Sequence, residues 1–287
     1  MEQLVYINGE IVNQDKAQVP ASDRGLLYGY GLFETMRSYK GRVFCLDRHL
    51  SRLVNSAGVL GIRDALEPQK LEVGVLRTLK ASGLDDARIR LTVTAGEGGR
   101  SMALPASGKL TTIITVEELA LPSPDVYEKG LRTSIVDIRR NSRSLVCYLK
   151  TLGYLENMLA HAEAISDGND EAILLNVDGY VAECSASNIF ITDEGGIVTP
   201  PVNAGILPGI TRGVVIEMAA RIGIKLVQEA VSVERLMKAK EVFITNSVIE
   251  IMPIASVDGK PVGSGVRGNV TERLTEEYRK LTVSGTR

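Results

Sequence analysis

Residues 148–192 read YLKTLGYLENMLAHAEAISDGNDEAILLNVDGYVAECSASNIFIT, and this stretch decides which fold and chemistry the sequence predicts. Its first half carries apolar side chains at a spacing of three to four residues, namely Leu155, Leu159, Ala160 and Ala164. This spacing predicts an amphipathic helix over residues 151–165 that buries this face. Gly168 follows the pattern and is expected to end the helix.

The second half of the stretch predicts a β-hairpin with a charged residue on its return strand. EAILLNV is strand-like, and Asp178-Gly179 is a dipeptide favoured in two-residue hairpin turns. Glu183 lies four residues beyond this turn among small residues, and Lys150 lies just before the predicted helix. The stretch therefore presents one lysine and one glutamate at defined places in the fold.

Lys150 and Glu183 together indicate a site for pyridoxal 5'-phosphate (PLP). An ionised glutamate among small residues needs a cationic partner, and the helix dipole disfavours the charged form of a lysine at a helix start, which makes it a better nucleophile. PLP answers both needs, because its aldehyde reacts with a lysine and its pyridinium nitrogen pairs with a carboxylate. Taken singly, each residue is more often a surface charge.

The segments LKTLGYLENMLAHAEA and DEAILLNVDGYVAECSASNIF resemble the class IV, fold-type IV PLP enzymes. This family includes branched-chain aminotransferases, D-amino acid aminotransferases and 4-amino-4-deoxychorismate lyases. The resemblance covers nearly the whole chain and implies a two-domain, D-amino acid aminotransferase-like fold, α+β or mixed α/β, and a homodimer. It also implies that Lys150 is the Schiff-base lysine, that Glu183 faces the ring nitrogen and that Tyr154 contacts the ring hydroxyl.

Three further motifs imply contacts to the PLP phosphate. HLSRL is similar to the family's HxxRL, which implies Arg52 as a planar clamp on the phosphate. GITRG opens a predicted helix whose N-terminal N–H groups attract an anion, and it implies Ile210 and Thr211. TNSVIEIMP implies Ser247 at the phosphate, and the backbone N–H of Val248 is expected to face the substrate carboxylate.

Aromatic and basic residues in the first half of the chain are candidates for substrate binding. Tyr28, Tyr30 and Phe33 are clustered in YGYGLF, although Phe33 is equally suited to packing inside a sheet. Arg90 lies in the alternating strand ARIRLTVT, and Arg100 lies in the loop GEGGR. In relatives, arginines at such places bind the substrate carboxylate, whereas the alternative for each is a solvated surface charge.

The nature of the reaction depends on Thr35 and on the later strand. Thr35 in FETMR and Asn246-Ser247 in TNSVIE are similar to the deoxychorismate lyases, where the resemblance implies that the threonine assists proton transfer. Reversible proton shuttling by Lys150 is the common chemistry of this scaffold. We therefore expect an aminotransferase acting on a small amino acid and a 2-oxo acid. The alternative is a 4-amino-4-deoxychorismate lyase giving 4-aminobenzoate and pyruvate, and a non-catalytic PLP-binding protein is more distant.

The chain of 287 residues is long enough for two domains. Strand-rich and helix-rich stretches alternate in both halves, which predicts α+β or mixed α/β domains. The best boundary lies at residues 119–125, where ALPSPD carries two prolines in a stretch without periodicity. We expect an N-terminal domain over residues 1–118 and a C-terminal domain over residues 126–287 that carries Lys150.

Composition excludes several classes of protein. The sequence is 44% hydrophobic and 24% charged, with a net charge of -2, three cysteines and two histidines. Scattered basic residues do not predict nucleic-acid binding, and no apolar run predicts a membrane span. The histidines lack the spacing of a metal site, and no signal peptide is evident. A cytoplasmic protein with reduced thiols is expected.

Overall fold

The computed structural model describes residues 3–98 and 109–284, and the chain divides into two compact units. The first unit runs up to Ala120 and includes the separate segment Leu149–Gly153, and the second contains Leu121–Tyr148 and Tyr154–Ser284. The division at residue 120 falls inside the stretch predicted as a linker. Lys150, however, was expected in the C-terminal domain and belongs to the first unit, because its segment pairs with a strand there.

The described part of the first unit contains a six-stranded antiparallel sheet in the order β2-β1-β6-β5-β3-β4, with helices packed on it. Its strands are β1 (Leu4–Ile7), β2 (Glu10–Asn13), β3 (Gly31–Tyr39), β4 (Arg42–Val43), β5 (Ala87–Thr94) and β6 (Thr111–Glu118). Its helices are α1 (Arg24–Tyr28), α2 (Leu46–Val59) and α3 (Pro68–Ser82).

The alternation predicted for ARIRLTVT is observed in β5. Ala87, Ile89, Leu91 and Val93 are fully buried, whereas Arg88 and Arg90 are only partly buried. Successive side chains of a strand point to opposite faces, so the apolar residues join the core beneath α2 and α3 while the arginines lie on the other face.

The described part of the second unit contains a nine-stranded mixed sheet in the order β12-β11-β10-β13-β14-β7-β8-β9, with β15 paired to β14. Its strands are β7 (Leu131–Arg140), β8 (Glu171–Asn176), β9 (Val181–Cys184), β10 (Asn188–Asp193), β11 (Gly196–Thr199), β12 (Leu226–Gln228), β13 (Glu241–Asn246), β14 (Glu250–Val257) and β15 (Lys260–Pro261). Its helices are α4 (Pro124–Lys129), α5 (Leu155–Ser166), α6 (Ile210–Arg221), α7 (Val233–Met237) and α8 (Asn269–Ser284).

Helix α5 buries only part of the face that its apolar spacing predicts. Ala160 and Ala164 are fully buried and Asn157 is nearly so, but Leu155 and Leu159 are 65% and 52% exposed. The small residues face β7 and β8, on which α5 packs, since small side chains let a helix approach a sheet closely. The larger leucines are left on the outer surface.

The described residues offer neither a membrane-spanning helix nor a metal-binding cluster. Within residues 3–98 and 109–284, no helix has the length and apolar character needed to span a bilayer. The same residues contain no cluster of three or more His, Cys, Asp or Glu side chains placed to hold a metal ion.

Candidate active site

Lys150 is held against the start of β3 by its backbone. The Phe33 amide donates to the Lys150 carbonyl at 2.9 Å, and the Leu152 amide donates to the Gly31 carbonyl at 3.0 Å. A side chain at residue 31 would lie 2.5 Å from the Val93 carbonyl oxygen and 2.7 Å from the Leu152 side chain. Glycine is therefore required for the lysine segment to lie this close to the strand.

The side chain of Lys150 lies over an aromatic ring that it shares with a second cation. Its ammonium nitrogen is 4.4 Å from the centroid of the Phe33 ring, and the guanidinium carbon of Arg90 is 3.9 Å from the same centroid. The negative face of an aromatic ring attracts cations. The sequence left open whether Phe33 packs in the sheet or lines a pocket. In the structure Phe33 is buried, and its ring contacts both the predicted nucleophile and a predicted carboxylate-binding residue.

A buried ionic cluster joins β3 to α2. The Glu34 carboxylate accepts hydrogen bonds from Nε and Nη2 of Arg52, at 2.8 and 2.6 Å, and lies 2.7 Å from Nδ1 of His49. Burial alone would raise the pKa of Glu34, but the Arg52 charge and the hydrogen bonds from His49 and Arg52 outweigh it and lower the pKa to about 2. Glu34 is thus an anion that holds the guanidinium in one orientation.

Burial lowers the pKa of His49, although Glu34 opposes this effect. The ring is therefore neutral near pH 7 and donates from Nδ1 to the carboxylate. The sequence motif pointed to Arg52 but not to Glu34. One sequence feature could have indicated this partner. The HxxR spacing places His49 and Arg52 on one face of α2, and Glu34 is an acidic residue in the buried strand β3 that lies opposite this face.

The other candidates in the first unit have varied surroundings. Thr35 lies directly opposite Arg90 in the β3–β5 pair, so their side chains project from one face of the sheet. Tyr28 ends α1 and is 56% exposed, whereas the Tyr30 hydroxyl donates to the Leu60 carbonyl and its ring packs against the core. Arg100 lies outside the described residues.

Glu183 lies on β9, is 4% exposed and is held through both carboxylate oxygens. Oε1 accepts from Nη2 and Nε of Arg140, at 2.7 and 3.1 Å. Oε2 accepts from the Leu207 amide at 3.0 Å and from Nδ2 of Asn188 at 3.3 Å. The sequence predicted that Glu183 needs a cationic partner, and the second unit supplies one in Arg140.

Arg140 ends β7 and contacts α5 as well as Glu183. Its Nη1 donates to Glu156 at 2.9 Å and to Oδ1 of Asn157 at 3.3 Å. Burial alone would lower the pKa of Arg140, but the charge and hydrogen bond of Glu183 outweigh it and raise the pKa. This residue was not predicted from the sequence, because 43 positions separate it from Glu183.

Two of the predicted phosphate contacts begin α6. Ile210 and Thr211 are its first residues, Thr211 is buried, and no side chain caps the helix. The N-cap is Gly209, where an added Cβ would lie 2.0 Å from Oδ1 of Asn188. An uncapped helix start presents N–H groups and a positive dipole end, which suits a phosphate.

The fourth predicted phosphate contact, Ser247, follows β13 in the turn that leads to β14. The amide of Val248, which was expected to face the substrate carboxylate, donates to Oδ1 of Asn246 at 2.8 Å. The side chain of Asn246 thus organises this turn, and the Val248 amide is engaged within it. Tyr154 donates its hydroxyl to the Ser185 carbonyl at 3.1 Å.

One buried hydroxyl in the second unit fits a polar ligand. Thr245 is 1% exposed, and its Oγ1 has no hydrogen-bond partner among the residues that the structure describes. Thr245 lies directly opposite Asn188 in the β10–β13 pair, on the face where Asn188 reaches Glu183. An unpaired buried hydroxyl costs about 1–3 kcal/mol, which a bound polar group would offset. The uncapped start of α6 and the unpaired hydroxyl of Thr245 therefore fit an anionic, polar ligand.

Comparisons with known proteins agree with this chemistry. Residues 31–257 match the family described as amino-transferase class IV. A branched-chain-amino-acid aminotransferase of Pseudomonas aeruginosa is 35% identical over 290 residues, covering 98% of this chain and 93% of that protein. An aminodeoxychorismate lyase of Bacillus subtilis is 34% identical over 279 residues, covering 96% and 94%.

A solved structure of the T.th. branched-chain amino acid aminotransferase with pyridoxamine 5'-phosphate superposes with a TM-score of 0.91. It is 29% identical in sequence, and the superposition covers 100% of this chain and 96% of that one. The protein belongs to the class IV aminotransferase family and is a PLP-dependent enzyme with the fold-type IV architecture. The predicted family, fold class and cofactor are confirmed.

Proposed function

We propose that this enzyme transfers the amino group of a small amino acid to a 2-oxo acid, with branched-chain amino acids as the first candidates for the donor. The observation that carries the proposal is the pairing of Lys150 and Arg90 on one Phe33 ring. A nucleophilic amine and a guanidinium that contact the same ring suit a substrate that carries both an amine and a carboxylate. The likeness to a branched-chain aminotransferase in both sequence and structure supports this choice of donor.

In this mechanism Lys150 and Glu183 handle protons at opposite ends of the cofactor. Bound PLP supplies a ring that withdraws electrons from the substrate carbon. Lys150 would hold the cofactor through its aldehyde and would carry a proton between the substrate α-carbon and C4' of the cofactor. Glu183 holds the proton on the ring nitrogen.

The other proposed contacts orient the cofactor and the substrate. Arg52 binds the phosphate in the orientation that Glu34 sets. Ile210, Thr211 and Ser247 supply further phosphate contacts, and Tyr154 contacts the ring hydroxyl. The proposed contacts to the substrate involve Arg90, Arg100, Phe33, Tyr28, Tyr30 and Val248.

A lyase acting on 4-amino-4-deoxychorismate is the second candidate, and Thr35 favours it. Thr35 shares a sheet face with Arg90 and Phe33, so its hydroxyl belongs to the same surface as the lysine side chain. The likeness to a Bacillus subtilis aminodeoxychorismate lyase also supports this candidate. Membership of an enzyme family leaves the non-catalytic alternative without support.

A donor screen tests the proposal. The enzyme loaded with PLP is given 2-oxoglutarate as the acceptor and one amino donor per reaction. The donors are leucine, isoleucine, valine, D-alanine and 4-amino-4-deoxychorismate, and the formation of glutamate is measured. We expect glutamate with at least one branched-chain donor. Release of 4-aminobenzoate without glutamate from any donor would establish the lyase instead.

We also propose that a second copy of the chain covers the outer surface of α5. Leu155, Met158 and Leu159 are 65%, 64% and 52% exposed and lie together on one helix face. Such a surface is costly to leave in water, and a homodimer would bury it. The cytoplasm is the proposed compartment, because Cys45, Cys147 and Cys184 are all buried free thiols.

A further inference from the structure

Arg140 distributes its hydrogen-bond donors over three side chains. Nε and Nη2 both donate to Oε1 of Glu183, and Nη1 donates to Glu156 and Asn157. The residue is 9% exposed, and the side chain of Glu156 is 44% exposed. The guanidinium is therefore fixed between a buried carboxylate and a surface carboxylate, and only the buried one receives two of its N–H groups.

Glu183 accepts hydrogen bonds from Nε and Nη2 of Arg140, from the Leu207 amide and from Nδ2 of Asn188. Two of these donors belong to a cation. A carboxylate that is stabilised as an anion in this way has little tendency to take a proton from a group placed against it. A nitrogen base beside Glu183 would therefore keep its own proton and pair with the carboxylate as a cation.

We propose that Arg140 is a positioning residue that, through Glu183, keeps the ring nitrogen of the bound cofactor protonated. This inference rests on the proposed function, because it requires Glu183 to face the ring nitrogen. Without Arg140, the proton would be shared with Glu183 and the ring would withdraw electrons less strongly.

The other titratable groups near this pair do not replace Arg140. Arg212 acts on Glu183 only through its charge, because its Nη2 donates to the Pro200 carbonyl and to Gln228, at 2.9 and 2.8 Å. Cys147 and Cys184 have pKa values raised by burial and stay neutral. Glu156 competes for Arg140 but is partly exposed to water, which screens its charge.

The test measures the ring nitrogen directly. Apoenzyme is reconstituted with PLP labelled with ¹⁵N in the ring, and the chemical shift of this nitrogen reports whether it is protonated. Wild type and Arg143→Gln are expected to give the protonated shift, since Arg143 is exposed and makes one 3.4 Å contact to Asp178. Arg140→Gln is expected to move the shift towards the unprotonated value and to lower kcat about tenfold or more, with KM changed much less.

Two further variants keep the result interpretable. If Arg140→Gln does not fold, Arg140→Lys retains a charge without the two-pronged contact, and the pH at which the ring nitrogen loses its proton should fall below that of wild type. Glu156→Gln removes the competing carboxylate and should keep the protonated shift. A PLP-bound Arg140→Gln or Arg140→Lys protein whose ring nitrogen titrates as in wild type would overturn the inference.

Glu183→Gln separates this inference from the proposed function. If Glu183→Gln leaves the ring nitrogen unchanged, the assignment of Glu183 itself fails. If Glu183→Gln shifts the signal and the Arg140 variants do not, only the role of Arg140 is contradicted.

Discussion

The ammonium nitrogen of Lys150 lies 4.4 Å from the centroid of the Phe33 ring, and the backbone amide of Phe33 donates to the carbonyl of the same lysine. One residue of β3 thus holds both the main chain and the side chain of the proposed nucleophile. The Phe33 backbone fixes where the lysine segment lies, and the ring limits where its amine can go.

Phe33→Leu should therefore lower turnover while leaving the backbone contact in place. Leucine keeps apolar volume but has no π face, and loss of a cation–π contact of about 0.5–2 kcal/mol corresponds to a loss of about two- to thirtyfold in rate. Steady-state rates and PLP content are measured for this variant and for Phe44→Leu, a ring in edge contact with Tyr39. Equal rates in wild type and Phe33→Leu would show that the ring only fills space.

Glu34→Gln should destabilise the first unit in a pH-dependent way. The folded-state pKa of Glu34, about 2, is below its unfolded value, so its stabilising contribution is present above the unfolded pKa near 4.5 and is lost as pH falls towards 2. At pH 7 this contribution is about 3 kcal/mol. Urea unfolding of wild type and Glu34→Gln is compared at pH 7 and at pH 3.5.

The difference in free energy of unfolding between these two proteins should shrink at the lower pH. Glu67→Gln is the control, since its carboxylate is exposed and contacts Lys70 at the surface. A difference that is the same at both pH values would mean that Glu34 does not act through its charge.

Met158→Asp together with Leu159→Asp should convert a dimer to a monomer, because two charges on the outer surface of α5 cannot be buried unpaired. Sedimentation equilibrium gives the mass of wild type and variant. Val73→Asp places a charge on a comparably exposed apolar residue of α3 and should leave the mass unchanged. A wild-type protein that is monomeric, or a double variant that is still dimeric, would show that the outer surface of α5 does not form a dimer interface.

The sequence was sufficient for features that depend on local pattern or on family likeness. The alternation in β5 is as expected, and the fold class and cofactor are confirmed. Contacts distant in sequence were not predictable, since no local period links Arg140 to Glu183 or Glu34 to Arg52. For α5, the burial of Ala160 and Ala164 was predicted but the exposure of Leu155 and Leu159 was not, because apolar spacing does not show whether large or small residues meet the sheet.

Thr35→Ala separates the two candidate reactions. An aminotransferase given 4-amino-4-deoxychorismate without a 2-oxo acid should release no more than about one product per active site, because no acceptor restores the cofactor. We expect this for wild type, for Thr35→Ala and for the control Thr92→Ala, which lies opposite Phe33. Many turnovers to 4-aminobenzoate and pyruvate, lost only in Thr35→Ala, would establish the lyase.

The most direct test of the account locates the lysine that binds the cofactor. Holoenzyme is reduced with borohydride, which makes the link between PLP and the protein permanent, and the digested peptides are analysed by mass spectrometry. The account predicts the added pyridoxyl phosphate mass on Lys150 alone, and a Lys150→Ala protein without that label or turnover. Label on another lysine, or an active Lys150→Ala protein, would contradict it.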